Sequence, residues 1–577
     1  MEKKHLFAGI GSLLLATVFL FFAEPREEVS PAPKSGEAAI GEARMDHTPR
    51  HEEMQPRRGC RTDGTALSLE NDFVQVKISP VGGGIRSVAL RNYPAQRGSA
   101  DPWIFDDYDE MQDALSLVLQ TDGKSFPLAN VPFEVEEHSP HSLRLRGSLP
   151  NGMAVERRYT IGNSSGEEDP YSILHELIVE KFGTSFSGNL GVEVSLGSLP
   201  PTAGDASTGS LGFMAYDGKK ARFTALRSFD AGVGFLGIGR HGPREHIGAV
   251  HPTVWAAIKN QFFAAILTPT IPATATDCAP VAIREEGKES RGIGGTATLL
   301  LHSLSDFSRG AKFSYYVGPK EFVRLDRLGQ NQDKVMQFGW FGFVSKILLF
   351  MMMGIHRLLP NWGCSIVLLT VLVKTLLWPL TTAQVRSSRA MVRLKEPLRV
   401  IQDRHRNNPQ KKQAETLKLF RENGVNPAAG CLPIFIQIPI FLGLYYMLRS
   451  ASELRFASFL WIRDLSAADT VGHLSGIPIN PLPLLMAATT FWQMRMGTST
   501  MPNKGMQRYV FAAMPFIFLF VCYGFPAGLV LYWTAQNVFT IGQQLAIQGR
   551  LKRLEATIAA NVPEKNKKRK NRTSSFR

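Results

Sequence analysis

The sequence predicts a polytopic α-helical membrane protein with six transmembrane helices that carries a large extramembrane all-β domain. Residues 62–317 are built of alternating, β-branched and aromatic runs. Apolar runs long enough to span a bilayer dominate the chain after residue 337. The charge, finally, is unevenly placed. The 577 residues carry a formal net charge of +15, of which segment 385–425 holds +7 and segment 549–577 holds +8. The remaining residues taken together are neutral. A nucleic-acid binder spreads its basic residues over a face or groove; here both blocks adjoin apolar sequence, as membrane topology demands. No DNA partner is expected, and the mean hydropathy of −0.06 averages a polar half with a lipid-facing half.

Residues 1–23 place the basic MEKKH ahead of the apolar run Leu6 to Ala23. A basic flank before an 18-residue apolar core fits a signal peptide or a membrane anchor. Phe21 stands where cleavage at Ala23 would want a small residue, which favours an uncleaved anchor with its N-terminus inside. Residues 24–59, with five prolines and many charges, read as a disordered linker.

The β-rich region follows, placed at 60–320. Its runs include Phe73–Ile78, Ala154–Ile161 and Ser172–Val179, with turns at 81–84 and at Asn151-Gly152. Such period-2 runs without helical stretches argue a sandwich. Cys60 and Cys278 lie in this polar half and could pair if it faces an oxidising compartment. Cys364, Cys431 and Cys522 lie in apolar runs, where cysteine behaves as a small hydrophobe. Gly232–Gly237 matches GxGxxG, but Gly239 and the Gly-Pro at 242–243 break any helix after it, so it does not bind a dinucleotide. No P-loop, HExxH, GxSxG or CxxC pattern occurs, so neither cofactor, metal nor enzymatic chemistry is expected.

Candidate spans are 364–383, 430–449, 481–496, 509–525 and 527–547, besides the N-terminal one. The run 338–359 is apolar enough to cross yet carries Lys346, His356 and Arg357. If it crossed, the +7 block would lie outside. If it lies flat in the outer interface, the +7 block, Lys504 with Arg508, and the +8 tail from 549 all fall inside. Six spans with both termini cytoplasmic is the consistent solution, with 321–363 as connector and interfacial helix.

Several segments resemble the YidC/Oxa/Alb family of membrane protein insertases. The carriers are Gly339-Trp340, Asn361–Ile366, Trp378–Thr381, the long block Gly424–Phe441, Met514-Pro515 and Phe525–Trp533. In the polar half, Tyr316–Pro319 and Trp255–Phe263 resemble the periplasmic domain of the type found in two-membrane bacteria. The resemblance implies an insertase fold with a periplasmic β-supersandwich, a five-helix core over 364–548, and the bacterial inner membrane. It also implies transfer rather than a reaction: nascent membrane proteins are the clients, inserted alone or with the Sec translocon.

Lys374 is the informative residue, eleventh of the twenty in 364–383 and so near mid-bilayer. An ionisable group there costs about 2.5–3.5 kcal/mol on insertion scales, and a lysine stem reaches only partway to either surface. A polar cavity in the bundle is the favoured reading, with Thr370 and Thr381 on the same helix face and Gln437, Thr534, Gln536, Asn537 and Thr540 on other spans to complete it. Trp533, which ends the last matching segment, joins this groove set. In the resembling family an arginine usually stands here; lysine keeps the charge and gives up bidentate pairing.

Segment 385–425 reads as a cytoplasmic helical hairpin, with Met391, Leu394, Leu398 and Ile401 as a helical stripe and Asn407–Pro409 as the turn. It is a solvated helix pair or a cap that receives client or ribosome. The tail Lys565–Lys570 fits anionic lipid, with ribosomal RNA as the sharper alternative. A six-span transporter for an anionic solute and an envelope scaffold are the rival classes; no internal repeat of the transporter kind links 364–449 to 481–547.

Overall fold

A computed structural model describes residues 66–105, 113–121, 124–149, 152–162, 168–181, 190–202, 209–231, 242–285, 288–301, 311–425, 432–497 and 506–561. The anchor, linker, Cys60, the Gly232–Gly237 motif, Cys431 and the end of the basic tail lie outside them. The chain divides into one unit ending at Met336 and another beginning at Gln337.

The first unit is β-rich, and alternation builds it. In Val74–Ile78, Ser142–Ser148 and Met153–Ile161 every second side chain is buried. Nine strands form one antiparallel sheet, in the order 221–225, 212–216, 255–259, 263–269, 311–319, 172–181, 153–161, 142–148, 134–138. Six form a second: 247–253, 273–285, 288–301, 190–199, 117–121, 124–127. Strands 67–70, 74–78, 85–94 and 102–105 make a smaller third sheet. The two large sheets face each other, and the Tyr315 hydroxyl donates across the gap to the Leu196 carbonyl at 2.7 Å. A side chain at Gly295 would stand 2.7 Å from the Phe213 ring of the opposite sheet, so only glycine lets the layers close. The two segments that carry the family resemblance are neighbours here, with Phe263 opposite Pro319.

Arg157 joins the sheets where alternation alone cannot. It is fully buried, and its guanidinium donates to Gly82 O at 2.5 Å, Leu115 O at 2.6 Å and His175 Nε2 at 3.2 Å. The Tyr159 hydroxyl donates to Gly83 O beside it. A buried charge is tolerable only when such partners replace water. His175 stacks on Tyr159 and on Phe313. Burial, and then the Arg157 charge, hold its pKa well below the ordinary histidine value. Cys278 is a free thiol that donates to Ile247 O at 3.3 Å, and burial pushes its pKa up.

A short helix α1 (Phe322–Arg327) closes this unit; its Arg324 pairs with Asp169 at 2.6 Å and with Glu321 at 3.0 Å. Helices then take over: α2 (Gly342–Leu358), α3 (Trp362–Leu376), α4 (Trp378–Arg393), α5 (Lys395–Arg404), α6 (Pro409–Glu422), α7 (Leu432–Ser450), α8 (Pro481–Gly497), α9 (Met506–Cys522) and α10 (Ala527–Asn561). Helix α10 is the hub, packing on α3, α4, α7 and α8. Helix α2 buries Ser345, Leu348, Leu349 and Met352 along one face and turns Phe343, Ile347 and Phe350 outward. The Ser345 hydroxyl donates to Gly443 O at 2.9 Å, which docks α2 on α7.

Three sequence expectations change. Span 364–383 is not one helix: α3 and α4 meet at a bend of 58°. Pro379 accounts for the break, because it lacks the N–H that would continue the α3 hydrogen-bond ladder, while proline is well tolerated in the first turn of α4. Among the described residues no single helix is both long and apolar enough to cross a membrane; the bent pair together has the length and composition of a span. The expected spans carry their own interruptions, Pro439 inside α7 and Pro515 inside α9. The first part of the 549–577 basic block, with Arg550, Lys552 and Arg553, is helical, since α10 continues unbroken to Asn561.

His175 supplies a prediction for the β-rich unit. Its unfolded pKa is about 6.5 and its folded value lies well below, so between them the unfolded chain binds the extra proton. The contribution is whole above pH 6.5 and is lost as pH falls, by up to about 1.4 kcal/mol per unit. Denaturant unfolding of a 60–336 fragment should be cooperative and should weaken from pH 7.5 to 5.0. His175→Gln should flatten that slope; an unchanged slope would contradict the assignment.

Candidate functional site

The site grows from Lys374, a cation among the apolar helices of the bundle. Lys374 lies in the last turn of α3, just before the break at Leu377, and is partly buried. Its Nζ stands 3.5 Å from Gln437 Oε1 on α7, at the long limit of a hydrogen bond. Gln437 turns its Nε2 the other way, donating to Gln536 Oε1 at 2.9 Å and to the Tyr532 hydroxyl at 3.1 Å, both on α10. Three helices thus contribute to one polar chain. Among the described residues no carboxylate pairs with Lys374. Its charge is met by an amide dipole alone.

The other residues expected in the groove are placed differently. The Thr370 hydroxyl is buried and donates to Ile366 O of its own helix at 2.7 Å. Thr381, Thr534 and Thr540 likewise donate to the carbonyls of Leu377, Val530 and Gln536 four residues back. Such bonds satisfy the hydroxyl within its own helix. Asn537 faces α8, where its Nδ2 donates to Thr490 at 2.8 Å and Thr489 at 3.1 Å. It ties α8 to α10 and does not meet Lys374. Trp533 packs against Phe441 and Phe518, with ring centroids 4.9 and 4.7 Å away, as an aromatic wall between α7, α9 and α10. Tyr532 is the member that sequence reasoning missed, although it stands beside Trp533 in a motif already singled out.

The segment between α7 and α8 is fastened across the ends of the helices. Ala527 N donates to Ala467 O at 2.7 Å and Gly528 N to Leu465 O at 2.8 Å, which pins it to the start of α10. The buried Asp469 accepts from Leu482 N at 2.6 Å, capping α8, and from Trp461 Nε1 at 3.2 Å. Asn480 donates to Tyr523 O at 2.7 Å, beyond the end of α9. At α3, a Cβ on Gly363 would fall 2.2 Å from the Phe459 ring. This end of the bundle is plugged by backbone and side-chain bonds.

At the other end, α5 and α6 form a helical hairpin. Asn408 caps α6 by accepting from Lys411 N at 3.1 Å, with Pro409 in the first turn. Leu394 is buried and Met391, Leu398 and Ile401 are half-buried, and α6 buries none of its residues.

Comparison with known proteins follows the same division. A family model described as 60Kd inner membrane protein matches residues 354–554, and one described as YidC periplasmic domain matches residues 66–351. The membrane protein insertase YidC of Haemophilus influenzae (strain Rd) is 30% identical over 521 residues, covering 84% of this chain and 86% of its own length. That of Pseudomonas putida (strain GB-1) is 30% identical over 510 residues, covering 86% and 85%. A solved structure described as an active YidC insertase with its first transmembrane domain resolved aligns over 93% of this chain and 98% of its own, at 18% identity and a TM-score of 0.34. The chain belongs to the YidC family of membrane protein insertases.

Proposed function

We propose that this protein inserts nascent membrane proteins into a bacterial inner membrane through a polar groove centred on Lys374, with its β-rich unit in the periplasm. The observation that carries the mechanism is the Lys374–Gln437–Gln536 chain, a cation among apolar helices with no carboxylate beside it among the described residues. An ion paired for structural reasons alone would have its counter-ion beside it. Here the charge is left for a client. An acidic or polar client segment that enters from the cytoplasm meets Lys374 and the amides, which shortens its path through hydrocarbon; the apolar segment then partitions into lipid beside the neighbouring helices. Hydrophobic transfer and the membrane potential drive the step. Insertion alone or alongside the Sec translocon fits this scheme, and the hairpin α5–α6 is the element offered to ribosome or client.

The topology in this reading has six spans: an N-terminal anchor, the bent pair α3–α4, then α7, α8, α9 and α10. Helix α2 lies flat at the outer interface, with Phe343, Ile347 and Phe350 toward lipid. The positive-inside bias puts the hairpin with its +7 charge in the cytoplasm and the plugged end outside. In a cysteine-free background, Arg406→Cys should react with an impermeant thiol reagent only from the cytoplasmic side, and His473→Cys only from outside. The reverse pattern at either position would overturn the topology.

Substitution of Lys374 tests the groove. Lys374→Arg should keep activity, because the charge remains. Lys374→Leu should keep or raise protein level, since it removes a mid-membrane charge that costs about 2.5–3.5 kcal/mol. Lys374→Glu should slow insertion of clients with acidic translocated segments at least tenfold, about 1.4 kcal/mol of repulsion between like charges. Normal insertion of such clients by a stably expressed Lys374→Glu protein would contradict the charge role.

A further inference from the structure

One buried polar group on α10 has no role in the chain of bonds around Lys374. Gln543 is 3% exposed, yet both its Oε1 and its Nε2 are buried without a hydrogen-bond partner. An unpaired buried amide is destabilising, so its presence calls for a ligand. Its place on the helix says which. Seven residues separate it from Gln536. At about 100° and 1.5 Å per residue, the two side chains lie on one face, roughly 10.5 Å apart along the axis. Phe539 lies between them on this face and meets the Trp378 ring at the start of α4, at 6.2 Å between centroids. The polar stripe that begins at Tyr532 and Gln536 therefore continues to Gln543 along the side of α10 that α4 covers.

We propose that Gln543 is a binding position for the main chain of an extended client segment lying along α10. A carboxamide offers a donor and an acceptor in one plane, the complement of a peptide group's C=O and N–H. In an extended chain the N–H of one residue and the C=O of the residue two further on lie on the same edge. Three extended residues at roughly 3.3 Å each span about 10 Å, the separation of Gln536 from Gln543. A helical segment has already used its own amides and offers neither group. The stripe thus selects the polar, translocated part of a client in extended form and leaves the apolar helix to lipid. This inference rests on the groove reading above.

The test uses the full-length protein with a photoreactive phenylalanine at position 437, 543 or 545, and ribosome-stalled clients. Leu545 is 55% exposed and serves as the outward control. Crosslinks to the translocated segment are expected from 437 and 543 and not from 545. Crosslinks from 437 alone overturn the inference and leave the groove standing; crosslinks from neither overturn the groove itself. Gln543→Leu should leave the protein level equal or higher and reduce insertion of a client with a Gly/Ser-rich translocated segment about three- to tenfold, the worth of one hydrogen bond. A client with a proline-rich segment, which lacks main-chain N–H groups, should be inserted equally well by parent and variant. An equal loss for both clients overturns the main-chain assignment, and a fall in protein level marks a packing role and overturns it too.

Discussion

An ammonium group among apolar helices must be solvated by something, and the helical unit is arranged around that requirement. Lys374 has an amide for its neighbour, and that amide has a second amide and a phenol. The helices supplying these groups, α3, α7 and α10, must therefore converge at one level, which makes α10 the hub of the bundle. The Gln437 amide spends both of its N–H groups on α10, and among the described residues the Lys374 ammonium has the Gln437 Oε1 alone, at 3.5 Å. This differs from a structural ion pair, where geometry closes the circuit. The two ends of the bundle differ: the segment from Ala451 to Asn480 spends its hydrogen bonds on the helix ends, while α6 of the hairpin buries none of its residues.

The β-rich unit solves the buried-charge problem in the opposite way. Arg157 is fully buried and donates from each of its three nitrogens, to the carbonyls of Gly82 and Leu115 and to His175. It ties strand 153–161 to the turn at 79–84 and to the approach to strand 117–121, and so helps fix how the sheets meet. Arg157 turns its charge inward to protein acceptors, whereas the half-buried Lys374 meets a single amide among the described residues.

Sequence reasoning reached these features unevenly, for physical reasons. Lys374 and Gln437 were legible because a charge and an amide stand out in apolar runs. Thr370, Thr534 and Thr540 donate to the carbonyl four residues back in their own helices, so their polarity in the sequence does not by itself mark a cavity. Asn537 does bridge helices, but to α8. The bend after Leu376 was signalled by Pro379 and passed over in favour of span length. The extension of α10 to Asn561 was hidden by charge, although no proline interrupts the chain between Pro526 and Pro563. Arg157 and His175 could not be found at all. On a strand they look like ordinary polar positions, and only the third sheet, brought over them from residues 79–84, makes them core.

The central claim is that the Lys374–Gln437 chain is wet and open to the cytoplasm. In a cysteine-free variant carrying Gln437→Cys, an impermeant thiol reagent should label this position in inside-out vesicles and leave it unlabelled in right-side-out vesicles. Absence of labelling from both sides would show a dry structural contact and contradict the groove.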